Sequence, residues 1–165
     1  MRRRLFWLGL LVLLAAVILT ARFEPLVIFN SSPSVPTGFY LRTDASPARG
    51  AFVTVRAATV SLDYARMRRF SDASDRFIKR VAAGHGEIVC AQGATVTIGS
   101  QKLARASHDS LGRPLPRWSG CRALAADEIF LIGDTPDSFD SRYWGPVPVS
   151  AIDGVWAPLR AQAQR

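Results

Sequence analysis

The first 22 residues, MRRRLFWLGLLVLLAAVILTAR, constrain this chain more than any other stretch. From Leu5 to Ala21 they hold 17 residues without a charge. As a helix rising about 1.5 Å per residue, that run spans roughly 25 Å, close to the hydrocarbon thickness of a bilayer. It is therefore expected to be a transmembrane helix, with residues 1–21 as a cytoplasmic arginine cluster plus anchor and residues 22–165 as a separate domain. Arg2, Arg3 and Arg4 before the apolar run, against Arg22 just after it, favour a cytoplasmic N-terminus and an extracytoplasmic domain. A cleavable signal is the competing reading. However, "ILTARF" offers no good small-x-small site, and the run is longer than a usual signal core.

Composition then bounds the remainder. A 165-residue chain with 48% hydrophobic residues can build one modest core. The formal net charge of +8 comes from basic residues scattered among 13 acids rather than from one block, so it speaks to topology and solubility and not to a nucleic-acid groove. Beyond the anchor, "GAFVTVRA" alternates as a strand, and "EIVCAQGATVTI" reads as two strands around a Gln-Gly turn. The fold class expected is mainly β, antiparallel, with one short helix over Ser61–Phe70, where Leu62, Ala65 and Arg69 recur at helical spacing. "GRPLPRWSG" and "WGPVPVS" read as loops or edge turns.

Cys90 and Cys121 suit an oxidising compartment, where a bridge closing about 32 residues would contribute roughly 3 to 4 kcal/mol on the chain-entropy model. Two free buried thiols are the alternative. Neither cysteine has a partner at metal-ligand spacing, so neither a metal site nor a cofactor is expected.

"NSSPSVPTGFY", from Asn30 to Tyr40, carries the chemistry. Pro33 and Pro36 push the residues before them toward extended backbone, and Gly38 permits a tight turn, so Ser34 is expected on a stiff, exposed loop. A serine nucleophile needs a base. His85 and His108 lie in loop-like contexts whose order and spacing do not support a Ser-His-Asp triad. Of the two lysines, Lys79 and Lys102, the first sits in the strand-like "DRFIKRVAAG" with Phe77 and Val81 on its face. Desolvation there disfavours the ammonium. Neutrality near pH 8 requires a fall from about 10.4, at a cost of roughly 3.3 kcal/mol.

Three segments in order, "SSPSVPTGFY", "FIKRVAAGHGE" and "GDTPDSFDSRYWGPVP", resemble the serine, lysine and closing boxes of the type I signal peptidases. The Ser34-to-Pro36 spacing, "PTGFY" and "GRPLPRW" are most similar to the conjugal-transfer peptidases of the TraF type, which mature a pilin precursor. The resemblance implies a signal-peptidase-like antiparallel β domain and a serine endopeptidase in which Ser34 is the nucleophile and neutral Lys79 its base. It implies that Ser32 joins the Ser34 N–H in the oxyanion hole, that Ser138 orients the lysine, and that Asp140 and Arg142 support the site from behind. By the same resemblance the enzyme lies in the bacterial inner membrane with its catalytic domain on the periplasmic side. Its partners are then membrane lipid, a membrane-embedded pilin precursor or preprotein bound as an added strand, and other proteins of the transfer apparatus. Some members of the family join the pilin ends into a circle, and these residues do not distinguish that outcome from hydrolysis. Trp118, Tyr143 and Trp144 are candidates for membrane contact or for the core. The alternatives are a general signal peptidase with broad substrates, or a non-catalytic subunit of a secretion apparatus.

Overall fold

In a computed structural model the described residues are 24–159 apart from 68 and 71–74, with Arg3 and Trp7 of the N-terminal segment. The expected anchor over residues 5–21, Trp7 aside, lies outside them. Among the described residues no helix is long and apolar enough to cross a membrane.

The strands are β1 (Val27–Asn30), β2 (Gly38–Thr43), β3 (Phe52–Arg56), β4 (Arg76–Ala83), β5 (Ile88–Gln92), β6 (Thr95–Ile98), β7 (Gln101–Ala104), β8 (Gly120–Ala123), β9 (Glu128–Ile132), β10 (Val147–Pro148) and β11 (Ile152–Pro158). They form two antiparallel sheets: seven strands in the order β1-β2-β11-β3-β4-β9-β10, and four in the order β7-β6-β5-β8. The expected "FVTVR" strand is β3, and the "EIVCAQGATVTI" pair is β5 and β6, turning at Gly93 with φ 53°, a left-handed conformation that suits glycine. "WGPVPVS" supplies β10, a two-residue strand at the sheet edge, where Pro148 costs no ladder bond to a further strand.

Helices are short. The segments α1 (Ala57–Val60), α2 (Leu62–Met67) and α3 (Ser141–Trp144) contain four, six and four residues. The helix expected over Ser61–Phe70 is thus α2 and ends earlier. Its buried residues are Tyr64 and Ala65, whereas Leu62 is exposed and Arg69 has φ 60°, so the Leu62/Ala65/Arg69 stripe is not its buried face. The Tyr64 ring has drawn the helix round to pack on Phe139 at 3.8 Å between centroids.

Three apolar clusters hold the sheets. Val89, Ala91, Val96 and Ile98 of the smaller sheet pack with Ala82, Ala83, Leu124 and Phe130. Val53, Val55, Val81, Leu131 and Val147 form the second cluster, joined by Phe77. Val35, Tyr40, Phe52, Ile78 and Trp156 form the third. Strand β4 runs through all of them. It lies between β3 and β9 with apolar packing along its length, and Lys79 sits in its middle opposite Val53. Cys90 and Cys121 are register partners on β5 and β8, and their sulfurs are bonded.

Candidate active site

Three segments converge on Lys79. The first is the connection between β1 and β2. Asn30 and Gly38 close that hairpin as register partners, and residues 31–37 loop out between them. Ser31, Ser32 and Pro33 are exposed, but Ser34 is 7% and Val35 1% exposed, so Ser34 itself is buried and not exposed as the sequence suggests. The reason is Val35, whose side chain plugs into the cluster with Tyr40 and Trp156 and draws its neighbour inward. The Tyr40 hydroxyl donates to Pro36 O at 2.6 Å, a further tie that the sequence did not reveal.

The second segment is β4. Lys79 is 4% exposed, and its Nζ donates to Ser34 Oγ at 2.9 Å. Burial is the largest influence on this ammonium and lowers its pKa from 10.5 to about 8, opposed by the negative charge of Asp140. Arg80, next along the strand, forms a two-point ion pair with Asp134 at 3.0 and 2.8 Å. The Asp134 backbone N–H in turn donates to Ser34 O at 2.6 Å. Consecutive residues of β4 therefore reach Ser34 from its side chain and, through Asp134, from its carbonyl.

The third segment runs from Gly133 to α3. Asp140 is fully buried and accepts from Gly133 N, from Arg142 N, and from Arg142 Nε and Nη2 at 2.8 and 2.7 Å. Burial works against the Arg142 guanidinium, but the hydrogen bonds and charge of Asp140 raise its pKa. Arg142 also donates to the carbonyls of Thr135, Pro136 and Ser138, so the pair ties down the whole segment between β9 and α3. Gly133 has a packing reason that its sequence context conceals. A Cβ there would lie 2.1 Å from Ser138 Oγ and 2.8 Å from Ser34 O.

The residues named from sequence thus come together unevenly. Ser32 Oγ donates to Ser34 Oγ at 3.1 Å and accepts from the Ser34 N–H at 3.3 Å. Ser138 lies in the same cleft and is 4% exposed, but its hydroxyl has no hydrogen-bond partner among the described residues, so the expected bond from it to Lys79 is not made. His85 is exposed in a turn, and His108 is exposed at the cleft rim with its Nδ1 3.0 Å from Ser107 Oγ. Lys102 is exposed on β7. Trp118 donates to Ser141 O and packs on Phe130, and Trp144 stacks on Phe77, both partly buried against the apolar clusters, while Tyr143 is buried. Sequence reasoning missed Asn30, Tyr40 and Gly133. The only signals were an asparagine at a strand end and a glycine before an aspartate.

The cleft has a volume of about 820 Å³ and is lined by Asn30, Ser32, Ser34, Phe77, Lys79 and Ser138, among others. A buried amine on a buried hydroxyl, with an N–H and a second hydroxyl beside it, can perform nucleophilic acyl transfer. No group of three or more potential metal ligands occurs among the described residues.

A plasmid transfer protein TraF from Escherichia coli is 33% identical, covering 79% of this chain and 80% of that protein. A probable conjugal transfer protein TraF from Sinorhizobium fredii is 32% identical, covering 76% and 72%. Among solved structures, a signal peptidase I from Enterococcus faecalis covers 68% of this chain and 98% of its own, at 19% identity and a TM-score of 0.40. The family model described as signal peptidase, peptidase S26, matches residues 1–158. This chain belongs to that family of serine peptidases, the signal peptidases of type S26.

Proposed function

We propose that the chain is a membrane-anchored serine endopeptidase with a Ser34-Lys79 dyad that removes a leader or terminal segment from an exported precursor, namely the pilin precursor of a conjugative transfer system. The observation that carries this reading is the 2.9 Å contact between two buried groups, Lys79 Nζ and Ser34 Oγ. Neutral Lys79 takes the Ser34 proton as Oγ attacks the scissile carbonyl. The lysine then returns that proton to the leaving amine, and water or another amine releases the acyl group. The Ser34 N–H and the Ser32 hydroxyl are bonded within their own loop before substrate arrives, and both turn to the oxyanion as it forms. The TraF relatives support plasmid transfer as the setting.

A membrane-surface location has its own support. Val27 pairs with Leu41 and Phe29 with Phe39, which places these four side chains on one face of the β1-β2 hairpin. All four are exposed, Phe29 at 61% and Phe39 at 55%. The opposite face buries Tyr40 and packs Ile28 against the core, so the hairpin is apolar on both sides. An exposed apolar face six residues beyond Ala21 fits contact with the outer leaflet.

The test is cleavage of a membrane-embedded pilin precursor, with small residues at its processing site, beside a panel of general preproteins. The expected result is efficient cutting of the pilin precursor alone, abolished in Ser34→Ala and Lys79→Ala. Equal cutting of the panel would instead assign a general signal peptidase, and cutting of neither would favour a structural subunit. The product's mass separates hydrolysis from cyclisation, which differ by one water.

A further inference from the structure

The loop that carries Ser34 has little backbone bonding of its own. Pro33 and Pro36 have no N–H to donate, and the Ser34 N–H is turned onto the Ser32 hydroxyl. What fills the loop is the Asn30 side chain, 6% exposed. Its Nδ2 donates to Ser32 O at 2.8 Å, to Val35 O at 3.1 Å and to Pro36 O at 3.1 Å. Its Oδ1 accepts from the Ser32 N–H at 3.1 Å. All four bonds end on the loop that begins at the next residue. They bracket Ser34 on both sides without touching it.

We infer that Asn30 is a positioning residue for peptide-bond cleavage: its carboxamide fixes Ser32 to Pro36 in the shape that holds Ser34 Oγ against Lys79. This rests on Ser34 being the nucleophile. The chemistry asks for an asparagine. Two N–H bonds must serve three converging carbonyls while an oxygen of the same group meets an N–H. An aspartate keeps the acceptor but sets a second carboxylate oxygen against those carbonyls, and an alanine leaves them facing one another. Asn30 is the last residue of β1, anchored opposite Gly38, so the sheet holds the clamp still while the loop depends on it.

The experiment compares full-length wild type with Asn30→Ala, Asn30→Asp, Ser34→Ala and, as a stability control in the smaller sheet, Val96→Ala. Cleavage of the membrane-embedded precursor is followed from pH 6 to 10 and counted on the folded fraction. Both Asn30 variants are expected to lose about 10- to 100-fold in kcat, as misplacement of a reacting group does. Their KM should stay within about threefold. The midpoint of the pH-rate curve should not move in Asn30→Ala, which adds no charge and removes no contact of Lys79, whereas a general loosening of the site would hydrate the lysine and shift that midpoint; the carboxylate of Asn30→Asp would itself raise it. If either folded variant keeps kcat within about threefold, or if Val96→Ala loses as much at an equal drop in Tm, the inference is overturned. Where Asn30→Ala does not fold, Asn30→Asp, of native volume, carries the comparison. Cleavage by Ser34→Ala overturns the reading beneath it. A dead Ser34→Ala with active Asn30 variants overturns the positioning role alone.

Discussion

On the proposed Ser34-Lys79 reading, Lys79 is the residue at which function and stability conflict. Its folded pKa of about 8 lies below the ordinary 10.5, so between those values the unfolded chain binds more protons than the folded one. Burying the ammonium therefore costs about 3 kcal/mol below pH 8, and the cost fades as pH rises toward 10.5. Lys79→Met, similar in volume and without a charge, is expected to be inactive yet more stable by up to about 3 kcal/mol at pH 6. Denaturant titration should find that gain shrinking between pH 8 and 10.5. A variant equally or less stable than wild type at pH 6 would show that the lysine's charge carries no such penalty. Lys79 was legible in the sequence because an ammonium set among strand-forming apolar residues destabilises the fold, which marks it as a group kept for its chemistry. Asn30 was not, since an asparagine at a strand end usually makes a turn, and its four bonds depend on where the backbone of residues 32–36 closes.

At the scale of elements, the segment from Gly133 to α3 is a fixed wall against which the Ser34 loop is set. β9 ends at Ile132 opposite Arg80, and the chain leaves the sheet beside Lys79. Asp140 caps α3 while binding Gly133 at the other end of the turn. Gly133→Ala is expected to cost about 1 to 3 kcal/mol, as overpacking does. It should also lower kcat by more than about 100-fold, since its Cβ meets both Ser138 and the Ser34 carbonyl. Thermal unfolding with kinetics on the folded fraction checks both, and wild-type kcat in a destabilised variant would show that this contact does not set Ser34. The strands β3, β5 and β6 were legible from alternation, as was the turn at Gly93. The first helix and the Tyr64 face of the second were not. The Tyr64 face packs on Phe139, 75 residues further along the chain, and the first helix packs its Val60 on the cluster of Val53, Val55 and Val81.

The whole molecule sets two sheets against an apolar entry. The order of the three boxes in the sequence made the family and the convergence of Ser34, Lys79 and Asp140 legible. Alternation alone could not divide the strands between sheets or reveal a hairpin that is apolar on both faces. If that exposed face rests on the membrane, Phe39→Ser with Leu41→Ser should slow cleavage of a membrane-embedded precursor by about tenfold, equivalent to 1.4 kcal/mol of lost contact. Neither residue lines the cleft, so cleavage of a soluble peptide spanning the same site should be unchanged. Equal losses on both substrates would assign the face to folding instead.

The most direct measurement is the pH dependence of kcat/KM, which reports the free enzyme, for wild type beside Ser34→Ala and Lys79→Ala. The Ser34-Lys79 account predicts a rate that climbs about tenfold per pH unit below pH 8 and levels above it, as free lysine amine becomes available. Both variants should be inactive throughout. A wild-type profile that is flat from pH 6 to 10, or cleavage by Lys79→Ala at near the wild-type rate, would contradict the account.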